Sequence, residues 1–372
     1  MKLQNAIIIG LISTSSICQA NNEIVPSEIF IKSSDKNKIS HNKYNSFNVS
    51  REGIVLNNVI AQANYIINEV ADNGPTSKLE GNTHIKGRTA HVIIVNPNGI
   101  ICDNCSFSNT LSETLVTGYV DKIDNTEIRY NITPLISPTH PQHIRFNSQK
   151  GKVHFINTQG TNNAMYKQLN ILSNGIRISN GIIASGNINI YNGQYSINQG
   201  FNNNFIINKP SSRRALANFK FKSPPFKSFK PLVRNYLIID EKEKDSSNII
   251  MLHNDEKINI YANRSKIENH GILINQGIHL SLHNQSEFIN NKKISVSDLT
   301  LDKDNSSKFV NMEELNYNLP FVFEPNATHE EIENNEINNK EIMRIKNLVK
   351  SNELINQGDI KFIKYIKSED IN

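Results

Sequence analysis

The chain has 372 residues, a net charge of +5 and a charged fraction of 20%. This balance gives no basis for a nucleic-acid partner, because domains that bind nucleic acids concentrate basic residues well above acidic ones. Asparagine is the outlier, with 58 copies. It tolerates turn conformations and can stack in polar ladders, so the composition is compatible with many short strands joined by turns.

The first 20 residues have the three parts of a secretory signal peptide. Lys2 supplies a positive charge, an apolar stretch follows from Ala6 to Ile12, and Cys18-Gln19-Ala20 resembles a small-x-small cleavage site. The apolar stretch is too short to span a bilayer, which takes about 20 residues. We therefore predict a signal peptide over residues 1–20 and export through a bacterial inner membrane.

Cleavage after Ala20 leaves two cysteines, Cys102 and Cys105. An even count in an oxidising compartment predicts a local disulfide. A zinc site is disfavoured because it needs about four ligands and the sequence has no second cysteine pair. A thioredoxin-like redox motif is disfavoured because it needs a βαβ setting, whereas the flanking residues are strand-like.

Short runs of alternating apolar residues recur along the chain, separated by Asn, Gly and Ser. They predict strands at 53–56, 65–70, 84–86, 152–156, 169–172, 175–179, 181–184 and 187–191. Two all-β topologies compete: an antiparallel sandwich with hairpins, and a parallel β-helix that turns its corners with an x-Asn-x-Gly-x-Ile phrase. That phrase recurs, with irregular spacing, at 172–176, 178–182, 267–272, 274–278 and 355–360. Its recurrence favours the β-helix.

The segment from Val92 to Gly118 combines a strand, a turn and the cysteine pair. Residues 92–95 are a β-branched run typical of a strand covered on both faces. The next four residues, Asn96-Pro97-Asn98-Gly99, suit the successive positions of a type I turn. The segment contains no obvious catalytic acid, base or nucleophile, so it indicates architecture rather than chemistry.

Four segments resemble the N-terminal secretion domain of two-partner secretion exoproteins, the filamentous haemagglutinin family. They are 39–49 with 53–58, then 63–70, then 79–100, and finally 102–118, in the family's order and spacing, with a weaker likeness over 151–193. The candidate secretion-motif residues within them are Asn96, Pro97, Asn98, Gly99, Asn42, Asn48, Asn68 and Glu69. The chain departs from many relatives between Asn58 and Ala63, where a second Asn-Pro motif is missing.

The resemblance implies an all-β fold, a right-handed parallel β-helix with an N-terminal cap, over residues 21–200. It also implies passage through the periplasm, recognition by an outer-membrane β-barrel transporter with periplasmic domains, and a final location outside a Gram-negative cell, secreted or on its surface. The turn at 96–99 is linked in that family to secretion competence. An adhesin or haemagglutinin role at a host or neighbouring cell surface is the expected function. A truncated haemolysin or growth-inhibition toxin is the alternative.

The remaining chain carries weaker signals. Residues 201–235 are rich in basic residues and Phe, which predicts a linker or loop. Residues 236–372 resume strand phrases, with a possible amphipathic helix at 328–350. We predict no catalytic residue, cofactor or metal site, because the 11 His are scattered and no nucleophile or phosphate-loop motif occurs. A β-helix enzyme acting on carbohydrates is disfavoured, because no repeat places carboxylates on one face.

Overall fold

The computed structural model describes residues 26–123, 127–131, 151–157, 166–179, 182–193, 196–200, 205–208, 235–239, 249–252, 257–319 and 336–363. Over these ranges the chain is a β-solenoid of about eight turns, made mostly of parallel strands with one helix. The predicted β-helix is confirmed and the sandwich is excluded. The signal peptide at 1–20 and most of the linker at 201–235 lie outside the described residues.

The elements follow the chain in order. They are β1 Ser27–Phe30, β2 Ile39–Tyr44, β3 Ile54–Asn57, β4 Tyr65–Val70, β5 Ser77–Leu79, β6 Asn82–Lys86, β7 Ala90–Val95, β8 Ile100–Asp103, β9 Ser106–Ser108, β10 Thr110–Val116, β11 Tyr119–Ile123, β12 Glu127–Asn131, β13 Lys152–Ile156, β14 Tyr166–Ser173, β15 Gly175–Ser179, β16 Ile182–Gly193, β17 Ser196–Gly200, β18 Phe205–Asn208, β19 Asn235–Ile239, β20 Ile249–Leu252, β21 Lys257–Asn263, β22 Ser265–Asn269, β23 Ile272–Ile274, β24 Gly277–His283, β25 Glu287–Asn290, β26 Lys293–Val296, β27 Asp298–Lys303, β28 Lys308–Asn311, β29 Glu314–Asn318, α1 Glu336–Lys350, β30 Leu354–Asn356 and β31 Asp359–Ile363.

Three parallel sheets form the walls of the first coils. Sheet A has the order β1-β3-β6-β9, sheet B begins β2-β4-β7-β10-β14-β16, and sheet C runs β5-β8-β13-β15-β19-β22-β25-β28-β30. Sheet A ends at β9, and the long strand β16 then divides sheet B. Its residues 182–185 pair with β20 and its residues 188–193 pair with β21, so the later coils again have three walls. The N-terminal cap stays a prediction, because the first described strand, β1, pairs in parallel with β3 in the same way as the strands of the later coils.

The interior is filled by columns of apolar side chains, one from each coil. One column joins Ile66, Val92, Leu169, Ile188 and Ile258, which are at most 1% exposed and lie in register across sheet B. Strands of a solenoid with period-2 alternation place every second residue in such a column, and each coil shields the next from water. The column is interrupted at Glu113, a 1% exposed carboxylate that accepts a hydrogen bond from Thr110 Oγ1.

A fourth sheet of antiparallel strands leaves the solenoid after sheet B strand β10. Its order is β11-β12-β17-β18. A second apolar cluster lies beside it on sheet B, and Val120 of β11 packs against that cluster. Its buried members are Ile39, Tyr65, Ile67, Ile93, Val95, Val116, Leu172 and Tyr191.

The C-terminal coils repeat every 21 residues, which corrects the irregular spacing assumed from the sequence. Lys266 pairs with Glu287 and Glu287 pairs with Lys308, each 21 positions on. Helix α1 occupies the C-terminal part of the segment predicted as helix at 328–350, and residues 328–335 lie outside the described ranges. Its Arg344 donates to the Leu299 carbonyl of β27 at 2.8 Å, so the helix lies against the last strand of that wall.

Candidate functional site

The Asn-Pro-Asn-Gly segment forms the corner between β7 of sheet B and β8 of sheet C. The Gly99 amide donates to the Asn96 carbonyl at 3.1 Å, so the predicted β-turn is present. Gly99 has φ +111°, and a Cβ there would lie 3.1 Å from the Lys152 carbonyl of the following coil. Glycine therefore fits this position for two reasons, its backbone conformation and the closeness of the next coil.

Asn96 is fully buried and binds the preceding corner through its side chain. Its Nδ2 donates to the Pro75 carbonyl and to Ser77 Oγ, both at 2.9 Å. Its Oδ1 accepts from the Asn98 amide at 2.8 Å, which is the local bond that asparagine forms at the start of such turns. The side chain thus closes its own turn and joins it to the coil before.

Asn98, at the third position of the turn, also bonds to the preceding coil. Its Nδ2 donates to the Ala71 carbonyl at 3.1 Å, and Thr76 Oγ1 donates to the Asn98 carbonyl at 2.9 Å. Asn98 is 5% exposed and Asn96 is 0% exposed. In the folded protein neither amide side chain is available to a partner, so a protein that reads these side chains must do so before this corner forms.

The other predicted motif residues divide into interior and outer positions. Asn42 and Asn68 lie in register inside the first coils, where Asn42 Nδ2 donates to the Ile67 carbonyl and Tyr44 Oη donates to Asn68 Oδ1. Asn48 is exposed, and its Oδ1 accepts from the Lys78 amide at 2.8 Å. These three residues brace the N-terminal coils and do not come together with Asn96 in one site.

Glu69 fixes the antiparallel sheet to the solenoid. Its Oε1 accepts from the Val120 amide at 3.0 Å, and its Oε2 lies 2.7 Å from His41 Nε2 and 3.7 Å from Lys43 Nζ. Burial by itself raises the pKa of Glu69, but the hydrogen bonds from His41 and Val120 and the nearby positive charges outweigh it and lower the pKa. The carboxylate is therefore held ionised beside the N-terminal end of β11.

The predicted disulfide between Cys102 and Cys105 is present and faces the core. Both residues are at most 1% exposed, and Cys102 lies in register with Leu79 and Phe155 of the neighbouring coils. Asn104 between them is left-handed, with φ 57°, and its amide donates to the Ile156 carbonyl. The bond therefore fixes the corner between β8 and β9, directly after the Asn-Pro-Asn-Gly corner.

His91 occupies a polar position on the solenoid wall. Its ring stacks on Tyr65 at 4.7 Å and its Nδ1 lies 2.7 Å from Ser112 Oγ. Burial lowers the pKa of His91 to about 4, so the ring is neutral at physiological pH. This placement fits a packing role.

Ser281, His283 and Asp302 form a cluster of a serine, a histidine and an aspartate. Both the serine Oγ, at 3.0 Å, and the aspartate Oδ2, at 3.5 Å, contact the same ring nitrogen, His283 Nε2. A catalytic triad needs the serine and the carboxylate on opposite ring nitrogens, so this cluster lacks that arrangement. The described ranges also hold no group of three His, Cys, Asp or Glu placed to bind a metal, and no helix among them has the length and apolarity for a membrane crossing.

Sequence reasoning missed the partners of these residues. The His41–Glu69 contact spans 28 positions and the Val120–Glu69 contact spans 51, and neither follows from a local pattern. It also missed a ladder of three buried asparagines and a half-buried fourth, Asn269, Asn290, Asn311 and Asn356, in which each Nδ2 donates to the next Oδ1 at 2.7–2.8 Å. A search for asparagines at a fixed interval of 21 would have found its first three members.

A family profile described as the TPS (two-partner secretion) secretion domain matches residues 13–224. The 16S rRNA endonuclease CdiA of Enterobacter cloacae is 39% identical over 109 residues, which are 24% of this chain and 3% of that protein. The hemolysin of Serratia marcescens is 38% identical over 101 residues, 22% of this chain and 6% of that protein. The chain therefore spans only a few per cent of the length of these curated relatives.

Two solved structures are also similar to the chain. The filamentous hemagglutinin secretion domain matches with a TM-score of 0.42 and 15% identity, covering 76% of this chain and 93% of that one. The HMW1 secretion domain from Haemophilus influenzae matches with a TM-score of 0.39 and 15% identity, covering 81% and 77%.

The profile covers more than half of the chain, including every residue of the Asn-Pro-Asn-Gly corner and both cysteines. The chain belongs to the TPS secretion domain family, whose members are recognised by outer-membrane transporters and exported across the outer membrane of Gram-negative bacteria.

Proposed function

We propose that this chain passes unfolded through the periplasm, where the periplasmic domains of a β-barrel transporter read the segment around Asn96 to Gly99. One observation carries the proposal: Asn96 and Asn98 are buried and bonded to the preceding coil. Their side chains are accessible only in an extended chain. The same four residues thus serve the transporter first and the fold afterwards.

Folding outside the cell would bias the movement of the chain outwards, so that export needs no ATP. A solenoid contacts only its neighbouring coils, so it can fold coil by coil as the chain emerges. Its parallel pairing joins residues far apart in sequence, for example Ile188 with Ile258, and such folds form slowly. The chain therefore stays threadable until it has passed the pore. The disulfide closes a loop of only three positions, too small to obstruct a pore.

A matched pair of asparagine variants tests whether the transporter reads the corner. Asn96→Ala and Asn290→Ala each remove a fully buried amide with two donated bonds and one accepted bond. Both chains are co-expressed with the cognate transporter, and the secreted fraction is measured. We expect secretion to fall much further for Asn96→Ala. Equal secretion of the two variants would mean that the corner acts only through stability, and would contradict the proposal.

After export, we propose an adhesin role in which the solenoid wall contacts a host or neighbouring cell surface, without enzymatic activity. A solenoid offers long, regular walls that suit extended contacts. The alternative is a contact-dependent haemolysin or growth-inhibition toxin, favoured by the names of the relatives matched above. Purified protein mixed with red cells separates the two: agglutination without lysis supports the adhesin, and lysis contradicts it.

A further inference from the structure

Half of the large apolar side chains that the described residues expose lie on one corner of the solenoid. Of eight such residues, four are Phe30, Val59, Ile60 and Leu111, with exposed fractions of 71%, 47%, 84% and 42%. We define the A–B corner as Phe30, the four segments that lead from sheet A to sheet B, residues 31–38, 58–64, 87–89 and 109, and the first residues of β10, 110–112. Scattered apolar residues need no explanation, whereas a clustered patch indicates an interaction surface.

Contacts between successive coils join these side chains into one strip. Phe30 lies in register with Asn57, which comes just before the loop 58–64. Ser34 Oγ donates to the Ala61 carbonyl at 2.6 Å, so the loop 31–38 touches the loop 58–64. Val59 in turn lies over Gly87, where an added Cβ would come within 3.0 Å of Val59 Cγ2. Asn109 Nδ2 donates to the Gly87 carbonyl at 3.1 Å, which places Leu111 on the next coil. The four apolar residues therefore lie on successive coils of one corner.

The loop that presents Ile60 is held in a fixed shape. Asn58 Oδ1 accepts from the Ala63 amide at 2.7 Å, and its Nδ2 donates to the Arg88 carbonyl at 2.8 Å. Gln62 has φ 48° and Lys38 has φ 62°, left-handed conformations that cost free energy in residues other than glycine. Such strain persists where surrounding contacts impose it. Ile60 is thus fixed in an outward position.

The charges of the corner loops are mostly positive. Lys32, Lys36, Lys38 and Arg88 are exposed there. The only acidic residue of these four segments is Asp35, whose Oδ1 accepts from the Asn37 and Ile39 amides. The corner therefore combines exposed apolar side chains with an excess of three positive charges.

We propose that the A–B corner docks on a lipid surface that carries anionic headgroups. Apolar side chains flanked by Lys and Arg are the chemistry of peripheral membrane binding: the apolar groups enter the boundary of the acyl region and the cations pair with phosphates. The proposal concerns the folded protein after export. It requires no transporter, so its failure and that of the secretion proposal are distinguishable.

Vesicle binding by the full chain tests the proposal. The probes are vesicles of phosphatidylcholine with and without phosphatidylglycerol. We expect binding to the anionic vesicles only, and weaker binding at high salt. Phe30→Ser with Ile60→Ser removes the two most exposed apolar groups and should weaken binding about tenfold or more. Arg88→Gln should weaken it about fivefold, the effect of one charge near the surface. The matched control, Ile274→Ser with Met312→Ser, alters two exposed apolar residues elsewhere and should bind as wild type.

Three results would overturn the proposal. The first is absence of binding to anionic vesicles, or binding that Phe30→Ser with Ile60→Ser leaves unchanged. The second is a wild-type dimer in light scattering that the same pair dissociates, which would assign the corner to a second copy of the chain. The third is a melting temperature lowered by this pair but not by the control pair, which would mean that another segment of the chain covers the corner.

Discussion

The buried asparagine ladder should stabilise the C-terminal coils, and Asn290→Ala is the sharpest test. Asn290 is fully buried in the middle of the ladder. Its Nδ2 donates to Asn311 Oδ1 at 2.7 Å and to the Glu314 carbonyl at 3.0 Å, while its Oδ1 accepts from Asn269 Nδ2 at 2.8 Å. One side chain therefore joins three successive coils.

The expected loss follows from these three bonds. Each contributes about 1 kcal/mol net, and the buried partner atoms left without a bond cost more because water does not reach them. We therefore expect Asn290→Ala to lower the free energy of unfolding by about 3–5 kcal/mol. Asn356→Ala, at the half-buried end of the ladder, breaks one bond to Asn311 and one to its own turn, so it should cost about 1–2 kcal/mol.

The neighbouring asparagine provides the control. Asn291 is half-buried, and its Nδ2 lies 3.5 Å from His270 Nε2, too long for a strong hydrogen bond. Asn291→Ala should therefore change the stability by less than about 0.5 kcal/mol. The assay is equilibrium unfolding in urea at neutral pH. If Asn290→Ala were no less stable than Asn291→Ala, the ladder would not stabilise the coils and the reasoning would fail.

Two further outcomes concern the N-terminal coils. The double variant Cys102→Ala with Cys105→Ala should have a free energy of unfolding about 2 kcal/mol lower than wild type, which is the chain-entropy contribution of so short a loop. Urea unfolding with and without reductant checks this, because reductant should destabilise wild type and leave the variant unchanged. Glu69 has a lowered pKa in the folded state, so its stabilising contribution is complete above its ordinary value of 4.5 and is lost as the pH falls through the folded value. Melting temperatures below about pH 5 should therefore fall less steeply for Glu69→Gln than for wild type, and identical pH profiles would contradict this assignment.

The local sequence pattern was sufficient to predict the strands but not to predict the repeat. The strands predicted at 65–70, 152–156 and 175–179 match β4, β13 and β15 because period-2 alternation reports directly which residues face the core. The strands predicted at 181–184 and 187–191 are one strand, β16, whose two halves pair with different partners. That division depends on β20 and β21, some 70 residues away, and leaves no local signal.

The x-Asn-x-Gly-x-Ile phrase did not reveal the 21-residue repeat, because not every coil keeps its glycine. Successive ladder corners read Asn269-His270-Gly271, Asn290-Asn291-Lys292 and Asn311-Met312-Glu313, so the asparagine alone is kept. The ladder explains this, because only the amide side chain joins one coil to the next. Glycine is needed where backbones crowd, as at Gly358, where a Cβ would lie 2.1 Å from the Glu313 carbonyl. The glycine in the phrase thus marks a local backbone contact, and the asparagine marks the repeat.

The asparagine bonds of the Asn-Pro-Asn-Gly corner reach only the coil before it. The amides of Asn96 and Asn98 donate to the preceding coil. Other asparagine amides donate to the following coil, as from Asn42 to the Ile67 carbonyl and from Asn311 to the Asp359 carbonyl. A backward bond can form as soon as its segment arrives, whereas a forward bond waits for residues not yet in place. The Asn-Pro-Asn-Gly corner can therefore close on the coil before it without the C-terminal coils, as a chain that folds from its N-terminus while it emerges would require.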